Sequence, residues 1–244
     1  MSTTTTLRLR VMRKTAEAEG ICSFELADPA GAALPAFTAG AHLDVQVPGG
    51  PTRQYSLCNN PAETQRYLIA VLREASSRGG SAGMHERLSQ GDLLDVSPPK
   101  NHFPLAEGAA SHLLLAGGIG VTPILAMAER LHATGADFAM HYCSRTRART
   151  AFADRLARAP FAARVHLHLD DGDASQRLDL AALLQVPVPG RHLYVCGPQG
   201  FMDAVLGTAR KQGWPESQLH YEFFSAAPVD TAGDRGFEVQ LARS

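Results

Sequence analysis

The sequence lacks the features that mark several large classes of protein. Its four cysteines lie far apart and form no CxxC pair, which argues against a zinc site or an iron–sulfur cluster within the chain. We therefore expect reduced thiols and no bound metal. No apolar run approaches the roughly 20 residues that span a bilayer, and the N-terminus, MSTTTTLRLR, lacks the apolar centre of a signal peptide. These absences predict a cytoplasmic protein with no membrane partner.

Neither sign of charge predominates in the sequence. The 23 Lys and Arg residues nearly balance the 24 Asp and Glu residues, and the basic residues are spread along the chain. A nucleic-acid-binding surface needs a concentrated basic patch, so we expect no nucleic-acid partner. The ten histidines also show no spacing typical of a metal site.

The first part of the chain has the pattern of short strands. Apolar residues recur in short runs or with period two, separated by Gly, Pro and Asn, at residues 7–11, 21–26, 42–47, 55–58, 67–72 and 93–96. These six runs predict a six-stranded antiparallel Greek-key barrel over residues 1–106. One helix is expected at Ala82–Leu88, with Ser81 as its N-cap.

After residue 106 the pattern changes to alternating strands and helices. We predict strands near 112–116, 138–143, 164–169, 192–196 and 219–223, and helices near 123–133, 151–158, 179–185 and 199–211. This alternation is typical of a doubly wound five-stranded parallel α/β domain, expected at residues 107–226. With 244 residues and 45% apolar content, the chain is long enough for two such domains.

The most informative motif is AGGIGVTP at residues 116–123. An apolar run ends in glycines, and Thr122 and Pro123 then favour a helix start, with Thr122 accepting a backbone N–H bond as a cap. Glycines allow a ligand close to the backbone, and a helix N-terminus attracts anions such as a pyrophosphate. The usual dinucleotide fingerprint has a third glycine where this chain has Pro123. The motif therefore indicates a nucleotide site that differs from the common dehydrogenase version.

A second pair of motifs, in the first domain, suits a phosphate. Arg53 lies on a predicted strand, and Arg78-Gly79-Gly80-Ser81 precedes the predicted helix. A guanidinium and a glycine-rich helix start can hold one phosphate from two sides. Tyr55 and Ser56 then lie where they meet a ring system attached to that phosphate.

Taken together, these motifs resemble the ferredoxin–NADP reductase superfamily over nearly the whole chain. The order of the motifs along the chain is the one found in that superfamily: RxYSL, GGS, GGIGVTP, Cys196-Gly197-Pro198 and Glu222-Phe223-Phe224. Four longer segments resemble the phthalate dioxygenase reductase group, which includes vanillate demethylase reductases. These segments are RQYSLCN (53–59), SRGGSAGMH (77–85), HYCSRT (141–146) and HYEFF (220–224). That group carries FMN, takes electrons from NADH, and passes them through a C-terminal 2Fe-2S ferredoxin domain to a Rieske oxygenase of aromatic compound catabolism.

The resemblance implies roles for individual residues. Ser56, Thr122 and Cys196 are the implied catalytic residues, which orient the nicotinamide and tune the flavin N5. The implied flavin ligands and contacts are Arg53, Tyr55, Ser56, Val71, Leu72, Arg73, Gly79, Gly80, Ser81 and Phe224. The implied nicotinamide contacts are Gly118, Gly120, Thr122, Cys196, Gly197 and Pro198.

Two other functions remain open at this stage. One is an FAD-dependent ferredoxin or flavodoxin reductase of the same superfamily, although no adenine-binding segment is evident in the barrel. The other is a non-catalytic, nicotinamide-binding regulatory protein, against which Arg53, Tyr55, Ser56 and Ser81 argue. The preferred function is the NAD(P)H-dependent reductase component of an oxygenase, active as a monomer.

The choice of nicotinamide and the end of the chain are also open. The resemblance favours NADH, whereas Ser144 and Arg145 at the end of the second parallel strand supply no carboxylate for a ribose and leave NADPH open. Residues 225–236 have linker composition, and residues 237–243 alternate like a strand. We interpret residues 227–244 as a linker and the first strand of a missing 2Fe-2S ferredoxin domain, so the cluster belongs to a longer protein and not to this chain. A native end is the alternative to truncation or proteolysis.

Overall fold

The computed structural model of the chain describes residues 6–75 and 79–224, which form two sheets in succession. The first sheet is antiparallel and has seven strands in the described residues, where the sequence predicted six. They are β1 (Leu7–Ala18), β2 (Ile21–Ala27), β3 (Ala41–Gln46), β4 (Thr52–Ser56), β5 (Tyr67–Leu72), β6 (Leu93–Val96) and β7 (Lys100–Asn101). The missed strand β7 has two polar residues and pairs with β3, so it carries no apolar alternation that a sequence pattern could detect.

The strand order β4-β3-β6-β1-β2-β5 brings the two ends of this sheet together. Just beyond β4, Leu57 forms an antiparallel bridge with Ile69 of β5, and the Cys58 amide donates to the Leu68 carbonyl. The sheet is therefore closed into a barrel at the strand that carries Arg53, Tyr55 and Ser56. Buried apolar residues of alternating strand positions, such as Leu9 and Val11, fill its interior.

The helix of the first part, α1 (Gly80–Arg87), starts earlier than predicted. Its N-cap is Gly79, which has a left-handed φ of 86° that favours glycine, and no side chain caps the helix. The prediction that Ser81 is the cap is therefore wrong. Ser81 lies inside the first turn, where its hydroxyl accepts a hydrogen bond from the Glu74 amide at 3.0 Å.

The second sheet is parallel throughout and has the predicted five strands in the described residues. They are β8 (Ser111–Gly117), β9 (Phe138–Ser144), β10 (Val165–Leu169), β11 (Arg191–Cys196) and β12 (Leu219–Glu222). The helices between them are α2 (Val121–Ala133), α3 (Ala153–Arg158), α4 (Leu180–Leu183) and α5 (Gln199–Lys211). In the order β10-β9-β8-β11-β12, the direction of winding reverses between β8 and β11. Open parallel sheets bind ligands at the carboxyl ends of strands beside such a reversal.

A hydrophobic cluster joins the two sheets. It combines barrel residues such as Cys58 and Ala70 with Leu114, Tyr142 and Tyr194 of the parallel sheet. The predicted domain boundary between residues 106 and 107 falls in the connection 102–110, between β7 and β8, and stays a prediction. None of the helices in the described parts of the chain combines the length and apolarity that a membrane crossing requires.

Candidate functional site

The barrel side of the site is built around Arg53. Its side chain lies so close to Gly80 that a Cβ on that glycine would be 3.1 Å from the Arg53 Nε. The guanidinium donates to the Thr52 carbonyl, and within the described residues it has no carboxylate partner. An arginine without an acid, packed on a glycine-rich helix start, fits a phosphate group. The structure therefore places Arg53 against the helix start formed by Gly79, Gly80 and Ser81, and their role in phosphate binding stays a prediction.

Tyr55 and Ser56 continue the same strand towards the place where the two sheets meet at Ser56 and Glu222, which we call the cleft. Tyr55 is half-buried, and burial raises the pKa of its phenol to about 12, so the ring stays neutral. Ser56 is 5% exposed and faces the opposite side of the strand. The Tyr55 ring therefore lies on the same face of the strand as Arg53, and the Ser56 hydroxyl lies on the other face.

The end of β5 lies near this cradle, but only part of it is free for a ligand. Val71 is buried and its carbonyl accepts a hydrogen bond from the His85 ring at 2.8 Å, while Leu72 packs on the cluster between the sheets. The Arg73 guanidinium is exposed and forms an ion pair with Glu86 of α1 at 2.5 Å. The Arg73 side chain is thus paired with an acid and is not gathered with Arg53.

On the opposite side of the cleft, the glycine turn after β8 packs directly on the loop after β11. A Cβ on Gly120 would lie 2.1 Å from the Cys196 carbonyl oxygen, and one on Gly197 would lie 3.0 Å from the Gly117 Cα. Only glycine permits this contact between two backbones. Gly118, with a left-handed φ of 52°, has no atom within 4 Å of its own Cβ position and faces open space.

The sequence predicted that Thr122 caps α2, and this prediction is wrong. The N-cap of α2 is Gly120, and Thr122 lies in the first turn, 2% exposed, with its hydroxyl donating to the Ile119 carbonyl at 3.1 Å. The preceding short 3-10 turn, Gly118–Gly120, moves the helix start one residue ahead of Thr122. Pro198 occupies the N-cap position of α5, so both glycine-containing loops end in helix N-termini.

The two sides of the cleft meet at Glu222, a residue for which the sequence predicted no role. The Ser56 hydroxyl donates to the Glu222 Oε2 across the cleft at 3.4 Å, and Glu222 is the register partner of Cys196 on adjacent parallel strands. Burial raises the pKa of the Glu222 carboxyl to about 7, although the Ser56 hydrogen bond opposes the shift. Burial, with the nearby Glu222, also raises the pKa of the Cys196 thiol well above its usual range. The signal for Glu222 was its position at the end of the last parallel strand.

A further polar group lies at the carboxyl end of β9. Ser144 is buried, and its hydroxyl donates to the Thr146 carbonyl at 3.2 Å. Arg145 is exposed and has no ion pair with any described residue, whereas Arg147 and Arg149 pair with Asp154 and Glu19. Arg145 is therefore available to an anionic ligand at this edge.

The remaining predicted features lie at or beyond the ends of the described segments. Phe224 is 45% exposed just after β12, where an aromatic ring can cover a ligand. Arg78 and residues 225–244 lie outside the described residues, so the predicted linker and extra strand are untested. Across residues 6–75 and 79–224, no group of three or more His, Cys, Asp or Glu residues is arranged to hold a metal ion.

Comparisons with known proteins give matches to both the sequence and the fold of the chain. A family model described as the N-terminal domain of dimethylamine monooxygenase subunit DmmA-like proteins matches residues 94–219. Over 231 residues, the chain is 54% identical to vanillate O-demethylase oxidoreductase of Pseudomonas putida, covering 95% of this chain and 72% of that protein. It is 43% identical to phthalate dioxygenase reductase of Burkholderia cepacia, covering 98% of this chain and 74% of that protein.

A solved structure of phthalate dioxygenase reductase superimposes on the chain with a TM-score of 0.86 at 43% identity. The superposition covers 93% of this chain and 70% of that one, and its description is a modular structure for electron transfer from pyridine nucleotides to [2Fe-2S]. The similarity thus extends over both sheets and the cleft between them.

Proposed function

Because this chain belongs to the family of oxygenase reductase components that includes vanillate O-demethylase oxidoreductases and phthalate dioxygenase reductases, we propose that it oxidises NADH through bound FMN and delivers single electrons towards a Rieske oxygenase. It is an oxidoreductase that binds a flavin and a nicotinamide. The identity of each cofactor and of the oxygenase is the proposed part.

The observation that carries this function is that two predicted groups lie on the two sides of the cleft and that a contact not predicted from the sequence joins these sides. The phosphate cradle of Arg53 and Gly80 lies on the barrel, the glycine turn lies on the parallel sheet, and the Ser56–Glu222 hydrogen bond joins them. Arg53 and Gly80 would hold the phosphate of a flavin on the barrel, and the glycine turn would hold a nicotinamide on the parallel sheet. Holding two reactants in this way is the main contribution of a protein to hydride transfer.

The flavin supplies the chemistry that no side chain here can perform, because it accepts a two-electron hydride and releases electrons singly. The chain's own residues orient the reactants and manage a proton. The Ser56 hydroxyl can donate a hydrogen bond into the cleft, and Glu222, with a pKa of about 7, can hold or release a proton near neutral pH. The buried Cys196 thiol stays neutral and presents a small apolar surface.

For the flavin we propose FMN. Arg53 and the start of α1 provide for one terminal phosphate, and the sequence shows no evident segment for an adenosine beyond it. Acid release of the flavin from the purified protein, followed by mass spectrometry, tests this directly. A mass matching FAD would favour the ferredoxin or flavodoxin reductase function instead, and a protein without flavin would favour the regulatory one.

For the nicotinamide we propose NADH, with NADPH as the alternative that Arg145 supports. An acidic residue near the second strand commonly holds the NAD ribose, and here Ser144 and Arg145 take that place. The test is kcat/KM for both donors. A roughly tenfold preference for NADPH that Arg145→Ala abolishes would establish the alternative.

The final acceptor is the third proposal. A Rieske oxygenase, reached through a 2Fe-2S ferredoxin domain outside residues 1–244, accounts for the need to deliver electrons singly. The family model names a dimethylamine monooxygenase, so an oxygenase of that kind is the second candidate. Reconstitution of the longer protein with candidate oxygenases distinguishes them.

A cytoplasmic monomer is also proposed, and size-exclusion chromatography with light scattering tests the oligomeric state.

A further inference from the structure

Arg155 contacts both the barrel and the parallel-sheet side of the molecule. Arg155 of α3 donates through Nη1 to the carbonyl oxygen of Cys58 at 3.2 Å, and through Nη2 to the Glu129 Oε1 at 2.9 Å. The first partner belongs to the barrel and the second to α2. The Arg155 and Glu129 side chains are 28% and 18% exposed, so solvent competes only partly for this contact.

Each partner of Arg155 is fixed to one side of the cleft. Cys58 follows Ser56 by two residues, is fully buried, and donates both its amide and its thiol to the Leu68 carbonyl of the barrel. Glu129 lies on α2 about 10 Å along the helix axis from Thr122 and the glycine turn. Through these partners, Arg155 connects the strand that carries the flavin side to the helix that carries the nicotinamide side.

The segment that presents Arg155 is itself held in place. Phe152, just before α3, is 3% exposed and has φ 59°, a conformation that is unfavourable for a bulky residue and persists only where the surroundings impose it. The Arg155 guanidinium lies 5.9 Å from the centre of the Phe152 ring. In the same connection, the Ala148 carbonyl accepts the Glu19 amide of the barrel at 2.8 Å. The connection therefore forms a second, independent contact with the barrel.

We propose that Arg155 is a positioning residue that sets the separation between the flavin and nicotinamide sides of the cleft. The proposal rests on the proposed function. It assigns Arg155 no contact with either cofactor, because its effect acts through Cys58 and Glu129. Hydride transfer depends steeply on the distance between the reacting atoms, and a displacement of about 1 Å can reduce its rate about 100-fold.

The chain offers a matched control in Arg164. This arginine makes the same three kinds of contact, with the Asp137 carboxylate at 2.9 Å, the Phe138 carbonyl at 3.1 Å and the Phe138 ring at 5.2 Å. All of its partners belong to the parallel sheet side, so it does not join the two sheets. Arg155→Met and Arg164→Met therefore remove the same kinds of contact, although the Arg164 pair is the more exposed one, and they differ in whether the contact reaches the barrel.

The kinetic experiment uses the flavin-loaded protein in a stopped-flow spectrometer. For Arg155→Met we expect the limiting rate of flavin reduction at saturating NADH to fall roughly 10- to 100-fold, while the dissociation constants of flavin and NADH change by less than about threefold. Arg164→Met should keep the limiting rate within about twofold of the wild type. Equal losses in both variants, or a loss confined to cofactor binding, would overturn the proposal.

A second measurement needs neither cofactor nor turnover. Cys58 is buried and burial raises the pKa of its thiol to about 12, so a maleimide should label it slowly in the wild type. Peptide mass spectrometry should show faster labelling of Cys58 in Arg155→Met and unchanged labelling in Arg164→Met, with Cys22 as the internal reference. We call the contact of Arg155 with Cys58 and Glu129 the tether. Unchanged labelling of Cys58 in Arg155→Met would show that this contact does not hold Cys58 in place and would overturn the proposal.

The outcomes separate this proposal from the proposed function. If neither NADH nor NADPH reduces the flavin of the wild type, the proposed function fails, and so does the role of Arg155 in hydride transfer. The labelling of Cys58 still decides in that case whether Arg155 holds the two sides together. If labelling increases but the limiting rate is unchanged, the tether exists without a positioning role, which refutes the proposal. If Arg155→Met does not fold, Glu129→Gln weakens the same contact and should change both measurements in the same direction, by less.

Discussion

At the scale of single residues, Arg53 gives the most direct test of flavin anchoring. Arg53→Ala removes a charge-assisted contact with a phosphate, and we expect FMN binding to weaken by about 2 kcal/mol, or roughly 30-fold. Titration of the flavin-free protein with FMN, followed by fluorescence, measures this. Arg13→Ala is the control, because Arg13 lies on the same barrel and pairs with Glu25 on the exposed surface. Unchanged FMN affinity in Arg53→Ala would place the phosphate elsewhere.

Glu222 makes a prediction about pH because its pKa is raised from 4.5 to about 7 by burial. Below about pH 4.5 the carboxyl is protonated in both the folded and the unfolded protein, so it adds no pH-dependent term. Above about pH 7 the folded protein contains a buried carboxylate, which lowers its stability relative to the unfolded chain. Glu222→Gln should therefore stabilise the protein at alkaline pH and have little effect near pH 5.

The expected gain, reduced for the partial exposure of Glu222, is about 1–2 kcal/mol, or roughly 2–6 °C in Tm. Thermal unfolding at pH 5 and pH 8.5 measures it. Glu216→Gln serves as the control, because the hydrogen bond from Arg210 lowers the pKa of the exposed Glu216 carboxyl and its replacement should give no alkaline gain. A gain of equal size at both pH values in Glu222→Gln would show that the effect is not the burial of a charge.

At the scale of elements, the two glycine-containing loops act as one unit. Gly120→Ala places a methyl group 2.1 Å from the Cys196 carbonyl, so the loop after β11 must move. We expect a loss of stability of about 1–3 kcal/mol and a larger loss in NADH-dependent reduction, with flavin binding retained. Urea unfolding and stopped-flow reduction measure the two effects. Gly207→Ala on α5, with no atom within 4 Å of the new methyl, should stabilise the protein by up to about 1 kcal/mol, and equal losses in both variants would contradict the prediction.

The elements also show what the sequence can and cannot predict. Strands such as β5 and β6, and the helix α5, were predicted with their observed bounds because their apolar periodicity is regular. The starts of α1 and α2 were wrong because Gly79 and the 3-10 turn before Val121 replace side-chain capping. Local sequence favoured Ser81 and Thr122 as caps, but backbone packing determined where the helices begin.

The candidate site shows the same division between local and long-range information. Arg53, Gly80, Gly120 and Cys196 were predicted because each lies in a contiguous motif. The contacts of Glu222 with Ser56 and of Arg155 with Cys58 were not predicted, because the partners are far apart in sequence and come together only through the packing of two sheets. Contacts of this kind depend on tertiary structure, and no periodicity reveals them.

At the scale of the whole molecule, the path of electrons depends on which one-electron centre follows the flavin. Cys58 and Cys196 are buried within the cluster that joins the sheets, Cys22 and Cys143 are half-buried on separate strands, and the described residues contain no metal-binding group. We therefore expect a protein of these 244 residues, loaded with flavin, to reduce ferricyanide rapidly with NADH, because that small acceptor can take electrons from the flavin directly. Cytochrome c and a Rieske oxygenase should receive electrons at only a small fraction of that rate, because the iron–sulfur relay is lacking. Steady-state assays with the three acceptors test this, and addition of the ferredoxin domain from a longer relative should restore the slow rates. Full oxygenase turnover by residues 1–244 alone, or stoichiometric iron in a metal analysis, would refute the expectation.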